Sequence, residues 1–393
     1  MFLMKNIIMT VLEKIFRYIL FTANILYLGE RKLILFYCAS SSDNGVALYT
    51  FMQNTPLSES LYWMFADDNE NRQSFRKALH LLKVLPRSKI VVSTHGFPHP
   101  LSSKQFLIEL WHGVPYKTLG LWQSMNPVEE KKILRTMKRV NVYCSTSLLT
   151  SQIISSCFHL LPKQLVVTGQ PRNDLLIENK QALFRVIGEK MEDYDHVVFF
   201  LPTYREGITK KSEIFNPLNL SEEQFAEFSI LLRKKRILWI SKLHVMEERR
   251  MVERKNADSE NNKNAVILLG EQIKKSGVPF YTLLASSDLL VTDYSSVFFD
   301  YLIVDKPVVF FQPDASEYWS SRGQPSFSPE KDWLPGPIAN DADALIDEVI
   351  KNLHNKSLWA EKRHFLNNVI NQYKDRETCL RVFKIIEKFY DNV

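Results

Sequence analysis

Short apolar runs alternate with amphipathic stretches along most of this chain, and the alternation sets the first expectation. Lys32–Cys38 (KLILFYC), Leu61–Ala66, Lys89–Ser93, Val140–Ser145 and Gln164–Thr168 read as buried parallel strands. Helical spacing fills about 45–54, 72–84, 128–139 and 147–160 between most of them. After a polar stretch at Lys190–Asp195 the pattern restarts with His196–Leu201, Ile237–Ser241, Ala265–Leu269, Leu289–Thr292 and Pro307–Phe311. Helices fit at 221–234, 295–304, 342–354, 357–372 and, last, 376–390. Strands and helices in this order predict an α/β fold: two Rossmann-like domains facing a cleft, with ligands at the carboxyl ends of the strands. The expected division is an N-terminal helix over 1–29, an α/β domain over 30–192, a second over 193–375 and a closing helix over 376–393.

The N-terminal stretch MFLMKNIIMTVLEKIFRYILFTANILYL has a different periodicity. Lys5, Glu13, Lys14 and Arg17 interrupt its apolar run, which argues against a membrane span or a cleaved secretory signal. The pattern instead suits an amphipathic helix lying on a membrane surface, or packed on the protein itself.

Composition is ordinary for a globular protein: 393 residues, 45% hydrophobic and 24% charged. The formal net charge of +6 is partly local, with Lys131, Lys132, Arg135, Lys138 and Arg139 in one helix and Arg233–Arg236 consecutive. Such patches attract anionic lipid or phosphorylated polymer, or are merely solvated faces. A nucleic-acid-binding protein finds no support beyond charge, because aromatic and basic residues do not interleave. Cys38, Cys144, Cys157 and Cys379 form no Cys-x-x-Cys pair and read as buried thiols. No metal site is expected. The phosphate loop, the dinucleotide fingerprint, zinc motifs and the nucleophile elbow are all missing, and His95–His99 reads as a structural turn.

Five loops carry candidate chemistry. In Ser287–Phe311 a buried strand runs into Thr292-Asp293-Tyr294-Ser295-Ser296 and then a helix, which makes either a phosphate site or a plain helix cap. Asp300, inside that helix, is placed to accept from a ligand hydroxyl. In Glu109–Gly120, Gly113 and Pro115 force a sharp loop that presents His112, either as a base or as a satisfied structural histidine. Lys117 nearby suits an anionic acceptor. Gly169–Leu175 puts Arg172 at a loop tip, for a phosphate or for solvent, with Asp174 to orient it or cap the next helix. Pro202-Thr203-Tyr204-Arg205 and Lys242-Leu243-His244 each follow a strand. The convergence of Thr203, Arg205, Lys242, His244, Ser295 and Ser296 on one sheet edge favours a diphosphate ligand.

These pieces, in this order, resemble the CDP-glycerol glycerophosphotransferases, the teichoic-acid primases and polymerases. The matching residues are Asp43-Asn44, Trp111 through Lys117, Gly169 through Asp174, Pro202 through Arg205, Lys242 through His244, Asp288 through Tyr301, Asp314, Tyr318, Arg322-Gly323 and Leu334-Pro335-Gly336. The family usually has Pro after the His of the third loop, where this chain has Val245. The resemblance implies a glycosyltransferase-B-like fold working without a bound metal or cofactor, peripheral at the cytoplasmic face of the cell membrane. It implies transfer of a polyol phosphate from CDP-glycerol or CDP-ribitol to a hydroxyl of a prenyl-diphosphate-linked saccharide, with an anionic membrane surface as partner, in teichoic acid or capsule synthesis. By position, His112 would be the general base, with His244 and Arg205 also catalytic. His112, Gly113, Val114, Pro115, Tyr116, Arg172, Pro202, Thr203, Lys242, Leu243, His244, Ser295, Ser296 and Asp300 would bind the donor. A nucleotide-sugar glycosyltransferase of the same fold is the alternative. The lack of a long helical extension favours a single-module, primase-like enzyme.

Overall fold

The computed structural model describes residues 15–16, 18–39, 43–66, 71–98, 101–203, 218, 220–243, 248 and 264–391. Two compact units emerge. The first comprises Met1–Gly113, Leu119–Asp174 and Asp375–Val393; the second comprises Val114–Thr118 and Leu175–Lys374. The second unit thus starts at Leu175 rather than 193, and the C-terminal helix returns to the first unit instead of standing apart.

The first unit holds a parallel sheet of β1 (Leu33–Cys38), β2 (Leu61–Phe65), β3 (Ser88–Ser93), β4 (Phe106–Glu109), β5 (Val142–Ser145) and β6 (Leu165–Val167), in the order β2-β1-β3-β4-β5-β6. Helices cover it, so β3 and β5 are buried along nearly their whole length, as continuous apolar runs require. Leu35, Val91, Leu107, Tyr143 and Cys157 form the centre of its core. Each such side chain taken from water contributes about 1.5–3 kcal/mol. Residues 18–25 are helical. Leu20 and Asn24 are buried, and Asn24 Nδ2 donates to Gln105 Oε1 at 3.1 Å. Tyr18, Ile19, Phe21 and Ile25 are exposed. Residues 1–14 and 17 of the helix expected over 1–29 lie outside the described residues.

The second unit holds β7 (His196–Leu201), β8 (Ile237–Ser241), β9 (Ala265–Ile267), β10 (Leu289–Thr292), β11 (Val308–Phe311) and β12 (Ile338–Ala339), all parallel, in the order β12-β11-β10-β7-β8-β9. This is the doubly wound arrangement. The chain builds outward from β7 to one side, returns, and builds from β10 to the other, so the switch point lies between β7 and β10. In the first unit the corresponding reversal lies between β1 and β3.

Two strands went beyond expectation. The apolar run at Phe106–Leu110 is the strand β4, and β12 pairs over only two positions, too few to leave a periodic signal. Helices at Lys180–Ile187, Gly270–Ser276, Phe280–Ala285 and Ala315–Arg322 are likewise additions. The four cysteines are buried and unbridged.

Gly336 lets β12 reach its partner. A Cβ there would stand 1.9 Å from the Val308 carbonyl oxygen, a backbone atom that cannot swing aside. Gly336→Ala is expected to cost about 1–3 kcal/mol by overpacking, read as a lower midpoint in urea unfolding; an unchanged midpoint would mean the strand edge yields freely.

Candidate functional site

In the first unit the loops after β3, β4 and β6 meet around His112. The β4 strand ends in Glu109, a fully buried carboxyl inside an apolar run. Its Oε1 accepts from Trp111 N at 3.1 Å and its Oε2 from Gly96 N at 3.3 Å. Burial pushes this carboxyl up to about 7, against the pull of those two N–H bonds and of Ser93. Trp111 has a positive φ of 58°.

His112 Nδ1 lies 3.1 Å from the carbonyl oxygen of Thr94. A carbonyl can only accept, so Nδ1 carries the hydrogen and the neutral ring keeps its lone pair on Nε2. His95 stacks on His112, with centroids 4.3 Å apart and planes within 8°. His112 keeps an open edge to solvent, but protein atoms crowd the ring. That crowding, His95 and Arg172 together lower its pKa to about 4, against the Thr94 carbonyl's opposing pull. The imidazole is therefore neutral at pH 7 and ready to accept a proton.

Arg172 is not at an open loop tip. It is buried, its NH1 donates to the His112 carbonyl oxygen at 3.0 Å, and its backbone N donates to Asn44 Oδ1 at 3.1 Å. Asn44 Nδ2 in turn donates to the Trp111 carbonyl oxygen at 2.9 Å and to Gln170 Oε1 at 3.2 Å. Asp174 caps a helix, but not the next one. Its oxygens accept from Thr378 N and Cys379 N at 2.9 and 2.7 Å, 204 and 205 residues away, at the start of the C-terminal helix.

The second unit assembles its own site at the switch point. Asp293 follows β10 and accepts from Thr203 N at 3.0 and 2.8 Å, from Thr203 Oγ1 at 2.5 Å, and from Tyr294 N. It ties the loop after β7 to the loop after β10. Ser295 and Ser296 are half-buried there; Ser295 Oγ accepts weakly from Val297 N at 3.4 Å, and Ser296 makes no side-chain cap. Pro202 and Thr203 are half-buried beside them. Lys242, after the neighbouring β8, pairs with Glu248, whose other oxygen accepts from Gly270 N at 3.1 Å. Leu243 is buried. Arg205 and His244 lie outside the described residues.

Several expected ligand residues are covered instead. Asp300 is fully buried and accepts the Tyr281 hydroxyl at 2.8 Å, so it braces its helix. Gly113, Val114, Pro115 and Tyr116 are buried. Within the second unit Tyr116 donates its hydroxyl to Glu330, which also accepts from Trp319 Nε1 at 3.0 Å. Burial pushes the Tyr116 phenol far above its usual range. Lys117 Nζ donates to the Tyr318 hydroxyl at 2.5 Å, and Tyr318 stacks on Tyr294 at 3.9 Å. Among the described residues no group of three or more His, Cys, Asp or Glu side chains could hold a metal, and no helix is long and apolar enough to cross a membrane.

A family model for CDP-glycerol:poly(glycerophosphate) glycerophosphotransferase matches residues 19–388. The chain belongs to that family. It is 25% identical over 391 residues to the teichoic acid glycerol-phosphate transferase of Staphylococcus aureus, covering 90% of this chain and 91% of that protein. It is 26% identical over 342 residues to a teichoic acid poly(glycerol phosphate) polymerase of Staphylococcus epidermidis, covering 79% of this chain but only 44% of that longer protein. The structure of the wall teichoic acid polymerase TagF superposes with a TM-score of 0.79 over 98% of this chain and 95% of that one, at 21% identity. That likeness shows the fold: two Rossmann-like domains of the glycosyltransferase-B type.

Glu109, Asn44 and Asp293 are among the members of these sites to which sequence reading assigned no role, and His95, read there as part of a structural turn, stacks on His112. A lone carboxylate inside the run FLIEL is the signal that marks Glu109, because an unpaired buried charge is rarely kept without use. Its raised pKa has a measurable consequence. Folding favours the protonated carboxyl, so this contribution to stability is fully present below its ordinary 4.5 and is lost as pH rises through about 7. The loss amounts to about 3 kcal/mol at ~1.4 kcal/mol per tenfold change in acidity. Glu109→Gln should therefore gain on the wild type by up to that amount between pH 4.5 and 7.5 in urea titrations; parallel stability curves would refute the shift.

Proposed function

We propose that this chain transfers glycerol phosphate from CDP-glycerol to a hydroxyl of a lipid-linked saccharide and releases CMP, in the synthesis of teichoic acid or a related cell-surface polymer. The family match across residues 19–388, spanning His112 and the switch-point loops, carries the reading. In this reaction the acceptor oxygen attacks the β-phosphorus while its proton passes to His112 Nε2. The bond from that phosphorus to the CMP oxygen breaks, and CMP leaves with the electron pair. The product is a phosphodiester, and His112 returns its proton to solvent.

The neutral His112 ring, with Nδ1 engaged by Thr94 and Nε2 as the remaining acceptor, supports its role as the base. Thr203, Ser295 and Ser296, gathered where β7 and β10 diverge, support a diphosphate site there. Lys242, Arg205 and His244 supply the positive charge that steadies the leaving group. Catalysis of this kind rests on positioning and electrostatics.

The test is CMP release from CDP-glycerol and CDP-ribitol in parallel, with a prenyl-diphosphate disaccharide as acceptor. CDP-glycerol is expected to be consumed, and His112→Ala to lose roughly 10²- to 10⁴-fold in kcat. Because the base is inactive when protonated and its pKa is lowered, the acid limb of kcat/KM should fall well below pH 6.5. Consumption of sugar nucleotides alone would establish the glycosyltransferase alternative.

We also propose that the chain works at the anionic, cytoplasmic face of the cell membrane. Exposed Tyr18, Ile19, Phe21 and Ile25 on the helical turn at 18–25 support this, as do Lys131, Lys132 and Arg135 nearby in sequence to one another. Ile19→Glu with Phe21→Glu should reduce sedimentation with phosphatidylglycerol vesicles; undiminished binding would discard this contact.

A further inference from the structure

The backbone that carries His112 is strained and clamped at both ends. Trp111 has a φ of 58°, a conformation that is costly for a side-chain-bearing residue and persists only where its surroundings over-determine it. Its N–H is held by Glu109 and its carbonyl by Asn44. Its ring packs edge-on against Phe158 at 5.1 Å. The second oxygen of Glu109 holds the N–H of Gly96, the residue after His95. One buried carboxylate therefore ties together the two loops whose histidine rings stack. Asn44 adds the third segment, because its Oδ1 accepts from Arg172 N while the Arg172 side chain holds the His112 carbonyl.

We propose that Glu109 and Asn44 are positioning residues that hold Trp111 in its left-handed conformation and thereby aim Nε2 of His112 at the acceptor hydroxyl. This rests on the assignment of His112 as the base. Glu109 has no open surface and Asn44 almost none, so neither touches substrate; both act through the backbone on either side of the histidine. An error of about 1 Å in such an aim is enough to cost roughly 10²-fold in rate.

Glu109→Gln is nearly isosteric but offers one acceptor to two N–H donors, and Asn44→Ala removes the donor to the Trp111 carbonyl. Each full-length variant is first checked for a cooperative thermal transition. Two readouts follow. Nitrogen NMR of labelled histidines, without substrate, reports the His112 tautomer and its pKa. CMP release from CDP-glycerol separates kcat from KM. In both variants the Nδ1–H tautomer should lose its dominance, the His112 pKa should rise toward 6.5, and kcat should fall about 10- to 100-fold with KM within about twofold. Wild-type His112 resonances and wild-type kcat in folded variants would overturn the proposal. If Glu109→Gln does not fold, Asn44→Ala carries the same test. Absence of CMP release from the wild type would refute the proposed reaction, while the NMR comparison would still decide whether these residues set the ring.

Discussion

Parallel strands covered on both faces confine chemistry to their carboxyl ends, and the rest of this protein follows from that confinement. Each sheet is apolar through its thickness, so polar side chains appear where the strands stop. The order β12-β11-β10-β7-β8-β9 separates the loops after β7 and β10 at the switch point, which opens room for a ligand without disturbing the core. In the first unit the same logic brings the loops after β3, β4 and β6 around His112 and the His95 ring stacked on it.

Three carboxylates bridge backbone N–H groups of separate segments. Glu109 joins the loops after β3 and β4, Asp293 those after β7 and β10, and Asp174 joins the loop after β6 to the C-terminal helix. A carboxylate suits this role because its two oxygens accept several strong bonds at once. Their environments differ in charge. Burial alone would raise Asp288, but Val197 N–H, Lys180 and Lys356 hold it below its ordinary value. Glu109 has backbone donors and no ion pair among the described residues, so burial prevails and its carboxyl rises. The contrast separates a carboxylate that anchors structure with its charge compensated from one kept near its titration point beside a candidate base.

The first unit spends strain where it gains geometry. Trp111 occupies an unfavourable backbone region one residue before His112, and hydrogen bonds to Glu109 at the end of β4 and from Asn44 on another segment keep it there. Such strain at a site is sustained by the fold around it. The Thr94 carbonyl then selects the tautomer, and the stacked His95 disfavours a second positive charge.

Hydrophobic periodicity alone determined that this chain makes two successive α/β halves, located ten of the twelve strands among the described residues, and pointed to the loops that hold His112, Thr203 and Ser295–Ser296. Those features are local: a buried strand, a glycine and a proline declare themselves within a few residues. Only the tertiary structure decided which polar residues would be open and which covered. Arg172 looked presented and is buried against the His112 carbonyl; Asp300 and Tyr116 looked like ligand contacts and are enclosed; Asp174 caps a helix 204 residues away. Partners at that separation are set by how helices close over a sheet, and no pattern of neighbouring residues encodes them. The same holds for Glu109, whose importance lies in two N–H groups from different loops that become neighbours only when β3 and β4 pair.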